Sequence, residues 1–209
     1  MHKNTQAGLA DNYGKEIDTG PSDAAAAKAA LRQQLGGRRA SRPDAVRARD
    51  DDRRQQRLLA LLTDRYPHHT GVTVAVYLSR PPEPATVALA QILHDTGWHV
   101  IVPSPGAARW TDPAWSWYGE PLLPAELGAA DVIIMPGLAG TRDGARLGRG
   151  GGWYDRALPD AQDGAPRWLL LNDDEVVDEL PTEPHDARVD LIVTPSDIIE
   201  CGSSLIGAR

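Results

Sequence analysis

Residues 146–156 combine two features that proteins use to hold phosphate groups. Four of the five residues from 148 to 152 are glycines, which lack the Cβ atom that keeps a backbone away from a ligand. Their N–H groups can line a concave nest for phosphate oxygens. Arg149 lies inside the glycine run, and Arg146 and Arg156 flank it, so positive charge converges on one place. The run therefore predicts an anion-binding loop.

The residues that follow the glycines predict a short helix over 153–158, whose amino end adds a favourable dipole for an anion. Asp155 opposes the basic trend, and a carboxylate beside a phosphate nest is useful when it holds Mg²⁺. Because position 153 is tryptophan, the run matches neither the Walker pattern nor G-x-G-x-x-G. A flexible linker, or a segment that binds RNA loosely, is the alternative. The position between an apolar strand and a helix start favours nucleotide binding.

Composition and charge favour a single globular domain over a membrane, disulfide-rich or nucleic-acid-binding protein. The chain has 209 residues, 41% of them hydrophobic, which suffices for one domain with a sizeable core. No apolar run approaches the ~20 residues that span a bilayer, and the N-terminus lacks a signal pattern, so we expect a cytoplasmic protein without membrane contact. The single Cys201 excludes an internal disulfide and a cysteine-rich zinc site. The basic segment 28–65 is interrupted by three aspartates at 50–52, and we expect no nucleic-acid partner.

The elements that must position the loop alternate between strands and helices. β-branched and apolar runs predict strands over 73–78, 99–102, 131–135, 168–171 and 189–193, with the strand over 131–135 central. A helix over 84–96 lies between the first two. This alternation indicates a mostly parallel sheet with right-handed crossovers. Residues 1–21 are expected to be a disordered extension, 22–200 a single domain and 201–209 a tail.

Two helices are predicted before the first strand. The first begins near Ser22 and ends at Leu35, because Gly36 and Gly37 follow. Lys28 and Arg32 are four residues apart and therefore share a face of this helix, where ordinary surface charge is the alternative to a ligand role. The residues from 41 to 44 have the form of a capping box that opens the second, long and charged helix.

Further candidates lie at the ends of the predicted strands. Glu83 begins the helix after the first strand, and it either complements the helix dipole or contacts a ligand beside the glycine loop. The tryptophans and tyrosine of 105–124 either cover a flat ring system or form a lid packed on the core. Adjacent residues in an extended segment point to opposite sides, so His185 and Asp186 are not expected to form a dyad. Asp186 is instead predicted as a second Mg²⁺ contact opposite Asp155.

These residues resemble the 5-formyltetrahydrofolate cyclo-ligase family, also called methenyltetrahydrofolate synthetases. The run from Met135 to Ala139, then Gly144 and the segment 146–156 with Leu158, is similar to the family signature. The resemblance extends over 24–200, and its remaining motifs are Lys28 with Leu31 and Arg32, Leu78 with Glu83 and Thr86, Trp117 with Glu120 and Pro121, and Leu180 and Pro181 with His185, Asp186, Val189 and Asp190.

The resemblance implies a fold, a reaction and a set of site residues. The fold is three-layered α/β, a mostly parallel sheet flanked by helices, of the kind shared with ribose-phosphate isomerases and CoA transferases. Lys28 and Arg149 would be the catalytic residues, and Asp155 and Asp186 would bind Mg²⁺. The implied ATP-binding residues are Lys28, Arg32, Arg146, Leu147, Gly148, Arg149, Gly150, Gly151, Gly152, Trp153 and Tyr154. The implied folate-binding residues are Leu78, Glu83, Trp117, Gly150, Gly151 and Trp153.

The implied reaction converts 5-formyltetrahydrofolate to 5,10-methenyltetrahydrofolate, with ATP as co-substrate and Mg²⁺ as cofactor. Transfer of the γ-phosphoryl group to the formyl oxygen gives an iminium phosphate, N10 closes the ring, and phosphate leaves. This route needs no protein nucleophile, so catalysis depends on positioning and on neutralising charge. The substrate is folate with or without a polyglutamate tail, and we expect a monomer, with a dimer as the alternative.

The chain departs from the family pattern at two places. Trp153 replaces a usual tyrosine, which keeps a ring and loses a hydroxyl, and Gly140 with Thr141 replaces a common Phe-Asp pair. Some members of the family keep the fold without established activity, so a non-catalytic protein that binds folate or nucleotide is the alternative function. A sugar-phosphate isomerase would not need ATP, and we identify no carboxylate nucleophile for a CoA transferase.

Overall fold

A single sheet of eight strands organises the structure, a computed structural model that describes residues 23–105, 113–119, 123–183 and 186–202. The helices are α1 (Asp23–Ala40), α2 (Asp44–Arg65), α3 (Val87–Asp95) and α4 (Trp153–Ala157), with 3-10 turns at Leu127–Ala129, Leu158–Asp160 and Asp173–Glu175. The strands are β1 (Thr73–Val76), β2 (His99–Pro103), β3 (Trp115–Trp117), β4 (Pro124–Ala125), β5 (Val132–Pro136), β6 (Ala139–Gly140), β7 (Arg146–Leu147), β8 (Arg167–Leu170), β9 (Leu191–Val193) and β10 (Ile198–Glu200).

The strand order is β10-β9-β8-β5-β1-β2-β3-β4, and the five strands from β9 to β2 run parallel. All four residues of β1 are buried. Because successive side chains of a strand point to opposite faces, a strand buried at every position is covered on both sides. The predicted mostly parallel sheet with flanking helices is therefore confirmed, and its two central strands are β5 and β1.

The outer strands are antiparallel and were not predicted. β10 pairs with β9, while β3 and β4 extend the other edge beyond β2. These strands have only two or three residues each, too few to show the alternation of polar and apolar residues that identifies a strand in a sequence. The predicted strands and the long helices agree with the structure apart from their ends.

Helix α1 continues through Gly36 and Gly37 to Ala40, so the prediction that these glycines end it is wrong. Glycine costs about 1 kcal/mol in a helix, and contacts of the last turn offset this cost. The buried Arg39 donates from Nε and Nη2 to Glu175, at 2.7 and 2.5 Å, and also to the backbone oxygen of Gly137. These bonds hold the end of α1 against the loop that leaves β5.

The predicted capping box at 41–44 is also wrong. Pro43 is the N-cap of α2 and makes no side-chain capping bond. The hydroxyl of Ser41 donates backwards to the oxygen of Arg38, so it closes α1 instead of opening α2. The proline and the aspartate at the first position are the parts of the pattern that mark the start of α2.

A small hairpin of β6 and β7 positions the glycine loop. It has its own apolar cluster, in which Leu35 of α1 packs with Leu138, Ala139 and Leu147. Leu147 is the last residue before the glycines. Helix α1 and the glycine loop are therefore fixed to each other through this cluster, beside the main core.

The predicted extension over 1–21 lies outside the described residues, as do positions 203–209, so the division of the chain into domain and tails stays a prediction. Trp110, Glu120, Pro121 and His185 also lie outside them. Within the described residues, every helix is too short or too polar to cross a bilayer.

Candidate functional site

The glycine loop connects β7 to α4. The helix predicted after the loop is present, but the strand directly before it is the two-residue β7. The apolar strand predicted at that place is β5, and the hairpin of β6 and β7 lies between β5 and the loop. Gly150 has a φ of 95° and Gly152 a φ of 59°, and Gly152 is the N-cap of α4. Residues with a Cβ rarely adopt such angles. The loop therefore requires glycine for its backbone conformation at Gly150 and Gly152, which lie on either side of Gly151.

Helix α1 contacts the loop through Arg32. Its Nε donates to the oxygen of Gly148 at 3.0 Å, and its side chain lies beside Gly150. Lys28 lies one turn earlier, on the same face of α1 as predicted. The structure thus brings Lys28, Arg32 and the glycine loop to one side of the hairpin.

Lys28 is buried, with 4% of its surface exposed, so the surface-charge alternative is wrong for this residue. Its Nζ donates to Glu183 at 2.7 Å and to Asp186 at 2.5 Å. Burial lowers the pKa of Lys28, but hydrogen bonds and charge from Asp186 and Glu183 outweigh it, and the pKa is raised above its usual value. The buried ammonium therefore remains charged at neutral pH beside two carboxylates that are partly exposed.

The loop after β1 meets the glycine loop at an ion pair. Nη1 of Arg149 donates to Oε1 of Glu83 at 2.9 Å. The other carboxylate oxygen of Glu83 accepts the N–H of Arg80. The predicted meeting of the β1 end with the glycine loop is therefore present, and Leu78 lies next to it with 36% of its surface exposed.

Arg146 is buried beneath the loop and pairs with Asp155, at 3.0 Å between Nη2 and Oδ1. Its guanidinium lies over the ring of Tyr154, 5.9 Å from the centroid. Burial lowers the pKa of Arg146, and the charges of Asp155 and Tyr154 act in the opposite direction. The guanidinium remains charged because its unperturbed pKa is far above neutral.

A cavity of about 470 Å³ opens next to this cluster. Its walls come from the segment 145–146 and from the loop before β9. The lining residues are Ala145, Arg146, Thr182, Glu183, Asp186, Ala187 and Arg188. Cations and carboxylates face each other across this space, which is suited to an anionic ligand with an accompanying cation.

The two carboxylates predicted to hold Mg²⁺ each pair with a cation of the protein, Asp155 with Arg146 and Asp186 with Lys28. Within the described residues, no group of three or more histidine, cysteine or acidic side chains could hold a metal. Mg²⁺ in phosphate-transfer sites is typically bound by one or two carboxylates together with phosphate oxygens and water. The donor set therefore fits Mg²⁺ when the ion arrives with phosphate.

Of the two tryptophans of β3, Trp115 lies beside the helix that follows the glycine loop. The sequence analysis did not select it as a ligand residue. Its ring centroid lies 5.2 Å from that of Trp153 and 6.4 Å from that of Tyr154. Trp117 packs instead against His99, 5.8 Å away, at the opposite end of β2. Since β3 runs antiparallel to β2, its first tryptophan and not its second lies at the edge where the parallel strands end.

Three buried polar atoms lack a hydrogen-bond partner among the described residues. They are Nε1 of Trp115, Nε of Arg146 and the hydroxyl of Tyr154. Trp115 contacts the ring of Tyr154 through its own ring, and Arg146 lies over the same ring, so the three residues with unpaired atoms are neighbours. Burial raises the pKa of Tyr154, so its hydroxyl stays protonated and can donate. Unpaired buried polar groups are uncommon in folded proteins and are a recognised feature of functional sites.

Glu183 is the second residue that the sequence analysis did not select. The N–H of Asp186 donates to the backbone oxygen of Glu183 at 3.0 Å, and both carboxylates accept from the ammonium of Lys28. The spacing of the two acids was visible in the sequence. The sequence did not show that the lysine that contacts both acids comes from the first helix.

Comparison with known proteins gives consistent matches. A model of the 5-formyltetrahydrofolate cyclo-ligase family matches residues 118–195. The 5-formyltetrahydrofolate cyclo-ligase of Mycolicibacterium smegmatis is 36% identical over 187 residues, which cover 80% of this chain and 93% of that protein.

Two solved structures share the fold. The 5,10-methenyltetrahydrofolate synthetase of Mycoplasma pneumoniae superposes with a TM-score of 0.68 at 24% identity, covering 80% of this chain and 98% of that chain. The synthetase of Aquifex aeolicus gives a TM-score of 0.67 at 19% identity, covering 87% and 96%. The predicted α/β fold class is confirmed by both structures. On the strength of the mycobacterial relative, this chain belongs to the 5-formyltetrahydrofolate cyclo-ligase family.

Proposed function

We propose that this protein is an ATP- and Mg²⁺-dependent 5-formyltetrahydrofolate cyclo-ligase that forms 5,10-methenyltetrahydrofolate, ADP and phosphate. Family membership supports the reaction. The observation that carries the proposal is the convergence of three separate segments on one site. Helix α1, the glycine loop and the loop before β9 are linked by Arg32 to Gly148 and by Lys28 to Glu183 and Asp186.

ATP phosphates would lie between the glycine loop and α1. Lys28, Arg32 and Arg149 supply positive charge there, and backbone N–H groups of the loop supply directed donors. Removing one such group commonly costs about 3 kcal/mol of transition-state stabilisation. Lys28 and Arg149 are the residues that we assign to the transferred phosphoryl group.

Asp155 and Asp186 would hold Mg²⁺ with the phosphates. When bound, the ion neutralises charge on the phosphate oxygens. With the ion bound, the two aspartates would be the residues that hold it, and Arg146 and Lys28, which pair with them in this structure, would be available to the phosphates.

The folate would lie on the side of the glycine loop that faces the end of β1. Leu78 supplies an exposed apolar surface and Glu83 a carboxylate, while Gly150, Gly151 and Trp153 border the same space from the loop. Trp115 is buried and packs against Trp153, so it would support the Trp153 ring from within the protein. Trp117 was also predicted to bind folate, but it packs against His99 at the start of β2, away from the glycine loop.

On this arrangement the protein acts by orientation. It would place the formyl oxygen in line with the γ-phosphoryl group, exclude water, and leave N10 free to close the ring as phosphate departs. We further propose a cytoplasmic monomer that takes folate with or without a polyglutamate tail.

The test is to mix the purified protein with 5-formyltetrahydrofolate and MgATP and to follow the near-ultraviolet absorbance of the methenyl product. We expect a signal that requires both folate and ATP. Binding of both ligands without turnover would select the non-catalytic alternative, and the absence of binding would refute both.

A further inference from the structure

Lys28 is held by two carboxylates, and only one of them is proposed to bind the metal once ligands are present. Glu183 and Asp186 accept from the same ammonium, at 2.7 and 2.5 Å. The inference drawn here rests on the proposed function, in which Asp186 turns to the metal. An ammonium then loses one of two partners and acquires a divalent cation as a neighbour.

The geometry points to Glu183 as the positioning residue that keeps Lys28 directed at the phosphates when Asp186 coordinates the metal. Both carboxylates line the same cavity as Arg146. Only 5% of the lysine side chain is exposed, so it cannot simply turn out to water. The backbone N–H of Glu183 also donates to Oδ2 of Asp186 at 2.6 Å, so the two acids are joined to each other as well as to the lysine.

The charges explain why two acids are needed. With Asp186 alone, metal and ammonium would compete for one carboxylate, and like-charge repulsion would disfavour a buried ammonium beside the metal. With Glu183 present, Asp186 can bind the metal while Glu183 keeps its hydrogen bond with the lysine. Glu183 touches neither substrate in this scheme and acts through its contact with Lys28.

The test is nucleotide binding by Glu183→Gln, measured by calorimetry with a non-hydrolysable ATP analogue, in Mg²⁺ and again in EDTA. We expect the variant to lose about tenfold in affinity with Mg²⁺, equivalent to ~1.4 kcal/mol. Without Mg²⁺ the loss should be much smaller, because Asp186 still holds the lysine. Glu183→Asp, which retains the charge, should recover part of the affinity.

Glu179→Gln is the matched control, since Glu179 is an exposed acid of the same loop and gives the same charge change. It should bind nucleotide like the parent in both conditions. Equal losses for Glu183→Gln with and without Mg²⁺, together with a lower melting temperature, would indicate a merely structural role and overturn the inference. Unchanged affinity would overturn it as well.

The inference and the proposed function fail in different ways. A parent protein that binds and turns over, combined with a Glu183→Gln variant that behaves like the parent, refutes the inference alone. A parent that binds the analogue with the expected Mg²⁺-dependent effect of Glu183→Gln, but shows no turnover, refutes the cyclo-ligase activity and leaves the role of Glu183 standing. A parent that binds no nucleotide refutes both.

Discussion

Arg149 donates a hydrogen bond to Glu83, with 2.9 Å between Nη1 and Oε1, and this contact joins the middle of the glycine loop to the loop that leaves β1. The two residues are 66 positions apart in the chain. Arg149 has 58% of its side chain exposed and Glu83 only 11%. The pair thus joins a largely buried carboxylate to a largely exposed arginine side chain at the border between the proposed phosphate and folate sites.

The backbone of Gly150 gives the first prediction. A φ of 95° is strained for any residue with a Cβ, so Gly150→Val should abolish most ATP-dependent turnover. The loop is exposed, and we expect a stability loss of only about 1–2 kcal/mol. Gly71→Val is the control, because Gly71 has a φ of 86° in the turn before β1, away from the site. Comparable melting temperatures with activity lost only at Gly150 would support the nest; full activity of Gly150→Val would refute it.

Lys28→Met should raise the KM for ATP, lower kcat, or both. Because the lysine is buried, the substitution should also cost about 1–3 kcal/mol, since Glu183 and Asp186 lose a partner while remaining partly solvated. Denaturant unfolding and steady-state kinetics measure the two effects. Gln34→Met, at an exposed position of the same helix, should leave both near the parent values. ATP kinetics unchanged in Lys28→Met would remove the residue from the site.

The contribution of Lys28 to stability should depend on pH in one direction. A base whose pKa is raised by folding stabilises the native state fully below its unfolded value, here 10.5, and loses that contribution as pH rises through the folded value. The difference in unfolding free energy between the parent and Lys28→Met should therefore be constant near neutral pH and shrink above 10.5. A difference that grows with pH in that range would contradict the ion-pair geometry.

Asp155→Asn should weaken turnover that depends on Mg²⁺, because a neutral amide is a poorer ligand for this ion. It also leaves the buried Arg146 without its carboxylate, and we expect a loss of about 1–2 kcal/mol, less than for a fully buried pair because Asp155 is 31% exposed. A Mg²⁺ titration of the rate and a thermal melt test both. Asp160→Asn, at an exposed site just beyond α4, is the control. A rate at saturating Mg²⁺ and a Mg²⁺ dependence that both match the parent would remove Asp155 from the metal site.

Arg39→Met should destabilise the protein by about 3–5 kcal/mol, because it leaves the buried Glu175 uncompensated. Arg38→Met breaks a pair with Asp174 whose side chains are 51% and 44% exposed, and should cost about 0–1 kcal/mol. Chemical denaturation of the two variants compares a buried and an exposed ion pair one residue apart. Equal losses would mean that the end of α1 is not fixed by Arg39.

The sequence was most informative where a pattern is local. The glycine loop, the short helix after it and the parallel strands all follow from runs of neighbouring residues, and the family and its ligase class are confirmed by the mycobacterial relative. Lys28 shows the limit. Its spacing from Arg32 placed both on one helix face, but the carboxylates that bury it are 155 and 158 residues away.

Trp115 and Gly37 show two other features that could not be predicted from the sequence. The choice between Trp115 and Trp117 depends on the direction of a three-residue strand, which no periodicity reveals. Gly36 and Gly37 are poor helix residues, and the tertiary bonds of Arg39 stabilise the part of α1 that continues past them. In both cases a long-range contact decides a local outcome.

The separate apolar cluster of α1 has a consequence for how the protein opens and folds. Leu35 packs on the hairpin of β6 and β7, apart from the main core under the sheet. Such a unit can detach as a cooperative segment at a lower free energy than global unfolding. Amide hydrogens of α1 should therefore exchange before those of β1 and β5. Because Lys28 and Arg32 leave with the helix, each such opening would dismantle the proposed nucleotide site while the sheet stays folded, and occupancy of that site would slow the exchange of α1 selectively.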